Sequence, residues 1–293
     1  MTTSTVQPAP IVVGLDGSAA SISAVDWALN AAEESGRPLL LVHAVHEYWM
    51  DPKVSHYAAV IAAARNLLHD AVEHARLAAP TVQVGTRVHS GDAARILVDL
   101  SRDAHLIVVG TDRNNPESGE LSGTLSQQIA IMSEAPVAVV PVTTGTPKPL
   151  VVVGADGSQE SMEALSYAAD TAARRNLGLT ILHSCAVPSP WMASGANDAV
   201  ADQRRVKTGQ ALLDSTLQNV KARYPSLALQ GVLETTVAPA EALLSAARNA
   251  QLLVVGSLGS GAVKRMMLGA VSHKILLNLG CPLVITRPAP GAG

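Results

Sequence analysis

The chain repeats itself, and that constrains its fold more than any other feature. IVVGLDGS at Ile11–Ser18 returns 140 positions later as VVVGADGS at Val151–Ser158. LLLVHAV at Leu39–Val45 returns at the same spacing as LTILHSC, so that His43 becomes His183. From Leu106 onward the spacing widens to 146: LIVVGT becomes LLVVGS, and Pro136 in EAPVAVVPV becomes Pro282 in GCPLVITRP. Preserved order with one small insertion means two copies of a unit of about 140 residues, not an array of short repeats. The 293-residue length suits two domains. Gly and Pro in TTGTPKP, Thr143–Pro149, interrupt any regular element between them, which places the domains at 1–145 and 146–293.

Within each copy, short apolar runs alternate with helical periods. Ile11–Leu15 reads as a buried strand ending in Asp-Gly. Ser18 then caps a helix whose Ile22, Val25, Leu29 and Ala32 share one face, closed by Gly36. Strands are expected at 39–45, 81–89, 106–109 and 137–140, with helices at 56–79, 93–101 and 125–133 between them. The second copy reads the same way from 150 to 286, its long helix at 200–223 and its last helix at 270–279. The alternation predicts an α/β fold: two tandem Rossmann-like, open, five-stranded parallel sheets with helices on both faces.

Composition agrees. The chain is 48% hydrophobic yet has no Phe and only 2% aromatic residues, so its core is Ala, Val, Leu and Ile. Such side chains suit buried parallel strands under close-packed helices. Net charge is −3, which lacks the basic footprint of a nucleic-acid binder. No apolar run approaches the ~18 residues of a membrane span, and MTTSTVQPAP lacks the charge and apolar core of a secretory signal. Two cysteines, Cys185 and Cys281, make no disulfide framework, and a cytoplasmic location is expected.

Ligands of doubly wound sheets sit beyond the carboxyl ends of the strands. In this chain those places are Asp16 and Asp156, Ala44 and Ser184, and the segments after Gly110 and Gly256. After Gly256 the sequence runs SLGSGAVKRMMLGAVSHKIL, a glycine-rich loop carrying Lys264 and Arg265 and leading into a helix near Ala270. Glycines let backbone approach an anion, and helix N-terminal amides point toward one. A phosphate-binding loop and a merely tight connection both fit this stretch. The first strand–helix turn is GLDGS rather than GxGxxG, and there is no GxxxxGK[ST], HEXXH or paired CxxC. A dinucleotide-binding dehydrogenase, a Walker-type NTPase and a zinc site are thereby disfavoured.

The glycine spacing of the second copy resembles the nucleotide pattern of the universal stress protein family: Gly, two residues, Gly, nine residues, then Gly with a hydroxyl residue. In this chain these are Gly256, Gly259 and Gly269, followed by Ala270 in place of the hydroxyl. The Asp-Gly-Ser turn, the His-containing second strand and the closing Cys-Pro strand are similar to that family too, over nearly the whole chain and twice. The resemblance implies an adenine nucleotide, ATP, as ligand. Asp156 would meet the ribose or a phosphate-bound magnesium, with Asp16 in the same role in the first copy. Ser184, and Ala44 before it, would offer backbone groups to the adenine edge. Gly256 and Gly259 would line the ribose and phosphates, and Gly269, Ala270 and Val271 would present amides to the β- and γ-phosphates. Loss of the hydroxyl at Ala270 removes a hydrogen bond of ~0.5–1.5 kcal/mol, and Ser272 is a poor substitute.

The first copy departs differently. Gly110 and the Gly123-Thr124 pair are in place, but Arg113 stands where the second glycine belongs. Residues 111–123 carry net −2, through Asp112, Arg113, Glu117 and Glu120, whereas 257–269 carry net +2. One charge pair at 4 Å is worth about 1 kcal/mol even in water, so the second copy is expected to bind ATP more tightly. The resemblance also implies a pseudo-twofold chain with Val137–Val140 beside Leu283–Ile285, able to form a homodimer. A stress-response or signalling module modulated by nucleotide occupancy fits best. Alternatives are a degenerate-site interaction protein binding AMP, cyclic AMP or nothing, and a slow ATPase, for which no catalytic base can be named. His43 and His183 are expected to be packing residues rather than catalysts. His69 and His74, five apart on a helix, cannot share a metal.

Overall fold

The computed structural model describes residues 8–50, 56–112, 124–143, 145–186, 196–259 and 268–288. The chain divides into two compact units after Val142. In the first, β1 (Ile11–Gly14), α1 (Ala19–Ser35), β2 (Leu39–Val45), a 3-10 turn at Glu47–Met50, α2 (Tyr57–Ala78) and β3 (Val84–Ser90) follow one another. Then come α3 (Ala93–Leu100), β4 (Leu106–Thr111), α4 (Thr124–Met132) and β5 (Val137–Pro141). The second unit repeats the order: β6 (Lys148–Gly154), α5 (Gln159–Arg175), β7 (Gly178–Ser184), α6 (Ala196–Arg223) and β8 (Leu229–Glu234). It ends with α7 (Pro239–Ala246), β9 (Ala250–Gly256), α8 (Ala270–Leu276) and β10 (Leu283–Thr286).

The strand order is β3-β2-β1-β4-β5 in the first unit and β8-β7-β6-β9-β10 in the second. Each pairing within a unit is parallel. Both units are therefore open α/β sheets whose order reverses between β1 and β4, and between β6 and β9. Central strands such as Val151–Val153 and Leu252–Val254 are fully buried, as unbroken aliphatic runs require. The outer strands β3 and β8 have no buried position, so the strand expected at 81–89 is an edge strand.

The Asp-Gly-Ser turns form as expected. Ser18 and Ser158 are N-caps, each accepting from the backbone N–H three residues on, at 3.1 Å. Gly17 and Gly157, at φ 84° and 81°, take the left-handed conformation that glycine tolerates best. Gly36 ends α1 in that conformation too.

One expectation fails. Ile22 is 48% exposed, whereas Ala20, Ala24, Ala28 and Ala32 are buried. Ile22 sits roughly 120° round the helix from the centre of the buried stripe. Alanines line that stripe because α1 lies directly on β4: a Cβ on Gly110 would stand 2.2 Å from the backbone carbonyl of Ala20. In the second unit, α6 begins at Ala196 rather than 200, and α8 stops at Leu276, with Leu277 as its C-cap.

Candidate functional site

At the carboxyl ends of β6, β7 and β9 the second unit holds a cavity of about 510 Å³. Asp156, Ser184, Gly256, Gly259, Gly269, Ala270 and Val271 all line it, so residues spread over 115 positions of sequence meet at one opening. Helix α7 closes one side with Pro239 and Leu243. These two wall residues escaped the sequence reading. Their only local signal is the proline at the first position of a helix.

The turn that places Asp156 is tied internally. Its Oδ1 accepts from the Ser158 backbone N–H at 2.9 Å and from the Ser158 hydroxyl at 2.6 Å. Gly259 sits against the same carboxylate: a Cβ there would stand 2.8 Å from Asp156 Oδ2. That is a ligand-side reason for glycine. Gly256 has a different one, since its Cβ would meet the backbone of Glu160 in α5 at 2.9 Å. Its conservation of type between copies therefore reflects helix-on-strand packing, although the residue also borders the cavity.

The phosphate-loop residues need one correction. The Gly269 N–H donates to the Ser257 carbonyl at 2.8 Å and closes the ends of the loop, so it is not turned to a phosphate. Ala270 and Val271 open α8, whose N-terminus has no side-chain cap. The Ser272 hydroxyl is buried and donates to the Gly256 carbonyl at 2.7 Å, which explains why it cannot replace a hydroxyl at 270. Lys264 and Arg265 lie outside the described residues.

At the far wall, the Ser184 hydroxyl donates to the Val237 carbonyl at 3.1 Å, leaving its backbone as the group beside the cavity. Glu234 fastens the loop leading into α7: hydrogen bonds from the Thr236 side chain and backbone, then from Val237, hold its carboxyl below the ordinary range. His183 Nδ1 lies 2.7 Å from the Ala155 carbonyl, and His43 Nδ1 the same distance from Leu15. Both histidines pin the turn after the first strand, consistent with packing roles.

The first unit brings Asp16, Ala44 and Gly110 around the equivalent place, but the cavity there is about 80 Å³. Ile96 protrudes into it where the second unit has Ala242, and Leu125 stands where Val271 does. Burial opposes ionisation of Asp16, yet hydrogen bonds from Ser18 and Ser21 outweigh it and hold the carboxyl below its usual range. Gly123 and Arg113 lie outside the described residues, as does the Thr124 side chain at the start of α4. No group of three or more His, Cys, Asp or Glu among the described residues could hold a metal ion by itself. No described helix is long and apolar enough to cross a membrane.

Comparison with known proteins covers the whole chain. The model of the universal stress protein family matches residues 9–141 and again 150–287. A universal stress protein of Mycolicibacterium smegmatis is 31% identical over 291 residues, covering 95% of this chain and 97% of its own. One of Mycobacterium tuberculosis (strain H37Rv) is 33% identical over 298 residues, covering 94% and 96%. The crystal structure of a universal stress protein from Archaeoglobus fulgidus superposes with a TM-score of 0.70 at 19% identity. It spans 96% of this chain and 98% of that one, and shares the fold.

Proposed function

The chain belongs to the universal stress protein family, and from that premise we propose that its second domain binds an adenine nucleotide, ATP. Occupancy would modulate conformation or partner choice in a cytoplasmic stress response. The observation that carries this reading is the cavity of about 510 Å³ lined by Asp156, Ser184, Gly259 and Ala270. Ligand pockets commonly fall at ~300–1,000 Å³. The adenine lies between the Ser184 backbone and the Pro239–Leu243 wall, where aliphatic side chains receive its faces. The ribose hydroxyls donate to Asp156, because an ionised carboxylate attracts hydroxyl donors and repels phosphate oxygens. The phosphates run past Gly259 toward the amides of Ala270 and Val271, with the charge of Lys264 and Arg265 nearby in sequence.

A magnesium ion fits as a companion of the phosphates. One carboxylate is the donor set here, and magnesium bound with nucleotides takes one or two carboxylates plus phosphates and water. Where the ion accompanies the phosphates, Asp156 would hold it in place of the ribose hydroxyls, and the ion would supply charge neutralisation.

The first domain supports a second reading for itself, that of a degenerate module without nucleotide, because its cavity of about 80 Å³ is too small for one. Isothermal titration of the full chain with Mg-ATP, AMP and cyclic AMP tests both. The expected result is one ATP per chain, weakened ~10- to 100-fold by Asp156→Ala and little changed by Asp16→Ala, that is, ~1.4–2.7 kcal/mol. No binding of any adenine nucleotide, or an equal loss from both variants, would sink the proposal.

A further inference from the structure

The second domain has another cavity, of about 330 Å³, at the opposite end of its sheet from the site above. It lies between the end of α7 and the connection from α8 to β10. Leu253, Leu279 and Cys281, all buried, line its apolar part, and Arg248 stands at its rim.

The first domain shows how the corresponding arginine is partnered, in a pair whose two side chains are both exposed. There, the equivalent Arg102 donates from Nε to Glu134 Oε1 at 3.2 Å and lies 3.7 Å from Asp99. The Glu134 backbone N–H donates to the Ser101 hydroxyl at 2.9 Å, which completes the closure. In the second domain the arginine persists, but Asp99 is replaced by Ser245, Ser101 by Ala247 and Glu134 by Gly280. A Cβ on Gly280 would meet nothing within 4 Å, so the space of the Glu134 side chain is open. The neighbouring cation Lys274 is engaged with Glu241 at 2.6 Å. Among the described residues no carboxylate pairs with Arg248.

We propose that this cavity binds a small organic carboxylate. Its carboxylate group takes on Arg248 the position that Glu134 takes on Arg102, and its aliphatic stem lies on Leu253, Leu279 and Cys281. An arginine fork suits a carboxylate, as Glu134 shows on Arg102, and the apolar floor rejects a fully hydrated inorganic ion. One half of the molecule supplies the ligand from its own chain; the other half takes it from solution.

Hexanoate is the probe, titrated into the full chain by calorimetry, with hexan-1-ol as the control of equal stem and no charge. Saturable binding of one hexanoate per chain is expected, with hexanol at least tenfold weaker. Arg248→Gln, at an exposed position, should weaken hexanoate at least tenfold. Gly280→Glu should abolish binding without lowering the melting temperature, because it rebuilds the arrangement of the first domain. Failure of hexanoate to saturate, equal affinity for hexanol, or undiminished binding in either variant would overturn the proposal. A glutamate-containing tetrapeptide that binds where hexanoate does not would also overturn it, in favour of a protein partner.

Discussion

The two domains share strand order and the Asp-Gly-Ser turns that cap their first helices, yet at two corresponding places they differ. At the carboxyl ends of the strands, Ile96 and Leu125 line a first cavity of about 80 Å³, whereas the second, with Val271 in place of Leu125 and the buried Ala242 outside its lining, has about 510 Å³. At the other end, Glu134 covers Arg102, whereas Gly280 leaves Arg248 beside a cavity of about 330 Å³. A duplicated fold keeps what holds its sheet together and can change what its loops and helix ends enclose. Both differences run in one direction: the first domain closes on itself, and the second has room for ligands.

The largest expected contrast comes from pH. Burial pushes the Cys281 thiol up to about 12, from an ordinary 9.0, while the first domain has Ala135 in that position. Between those values the unfolded thiol has lost its proton and the folded one has not. The folded state thus binds more protons, and stability falls as pH rises, by up to ~4 kcal/mol in all. Denaturant unfolding from pH 8 to 11 should show the second domain weakening first. Cys281→Ala should remove that slope, and a slope unchanged by the substitution would show that another group causes it.

Next come the glycines under the first helix of each domain. The added Cβ of Gly110→Ala would stand 2.2 Å from the Ala20 backbone, and that of Gly256→Ala 2.9 Å from the backbone of Glu160. Neither backbone can move without shifting its helix. Losses of ~3 kcal/mol or more and ~1–2 kcal/mol are expected, read from denaturation midpoints. Gly269→Ala should be nearly neutral, since its nearest contact would be 3.4 Å. If Gly256→Ala proved costlier than Gly110→Ala, the ranking of the two helix contacts would be wrong.

A modest substitution tests the asymmetry directly. Ile96→Ala should cost ~1–2 kcal/mol, since the residue is only partly buried, and should enlarge the first cavity. Calorimetry should then detect a second, weaker ATP site. If nucleotide stoichiometry stays at one, Leu125 or the net −2 charge of residues 111–123, rather than the isoleucine, excludes nucleotide from the first domain.

Much of this is legible in the amino-acid sequence. The internal repeat, the aliphatic strands, the Asp-Gly-Ser caps and the convergence of Asp156, Ser184, Gly259 and Ala270 all follow from local patterns and one topological rule. Other features were not legible because each depends on a neighbour far away in sequence. Gly256 reads as a ligand glycine until α5 is seen lying on it, and Gly269 reads as a phosphate donor until its N–H is found on Ser257. Ile22 looked like core because a helical period marks a stripe but does not say where the stripe is centred.

The duplicated α/β fold and the identity of the groups beyond the strand ends are written in the amino-acid pattern alone. Strand burial and turn conformation depend on residues close in the chain, and these write a periodic signal. Which ends are open depends on packing between elements distant in the chain. Cavity volume is set by residues such as Ile96, Val271 and Gly280, arriving on separate elements, and a difference of a few carbon atoms leaves no periodic mark.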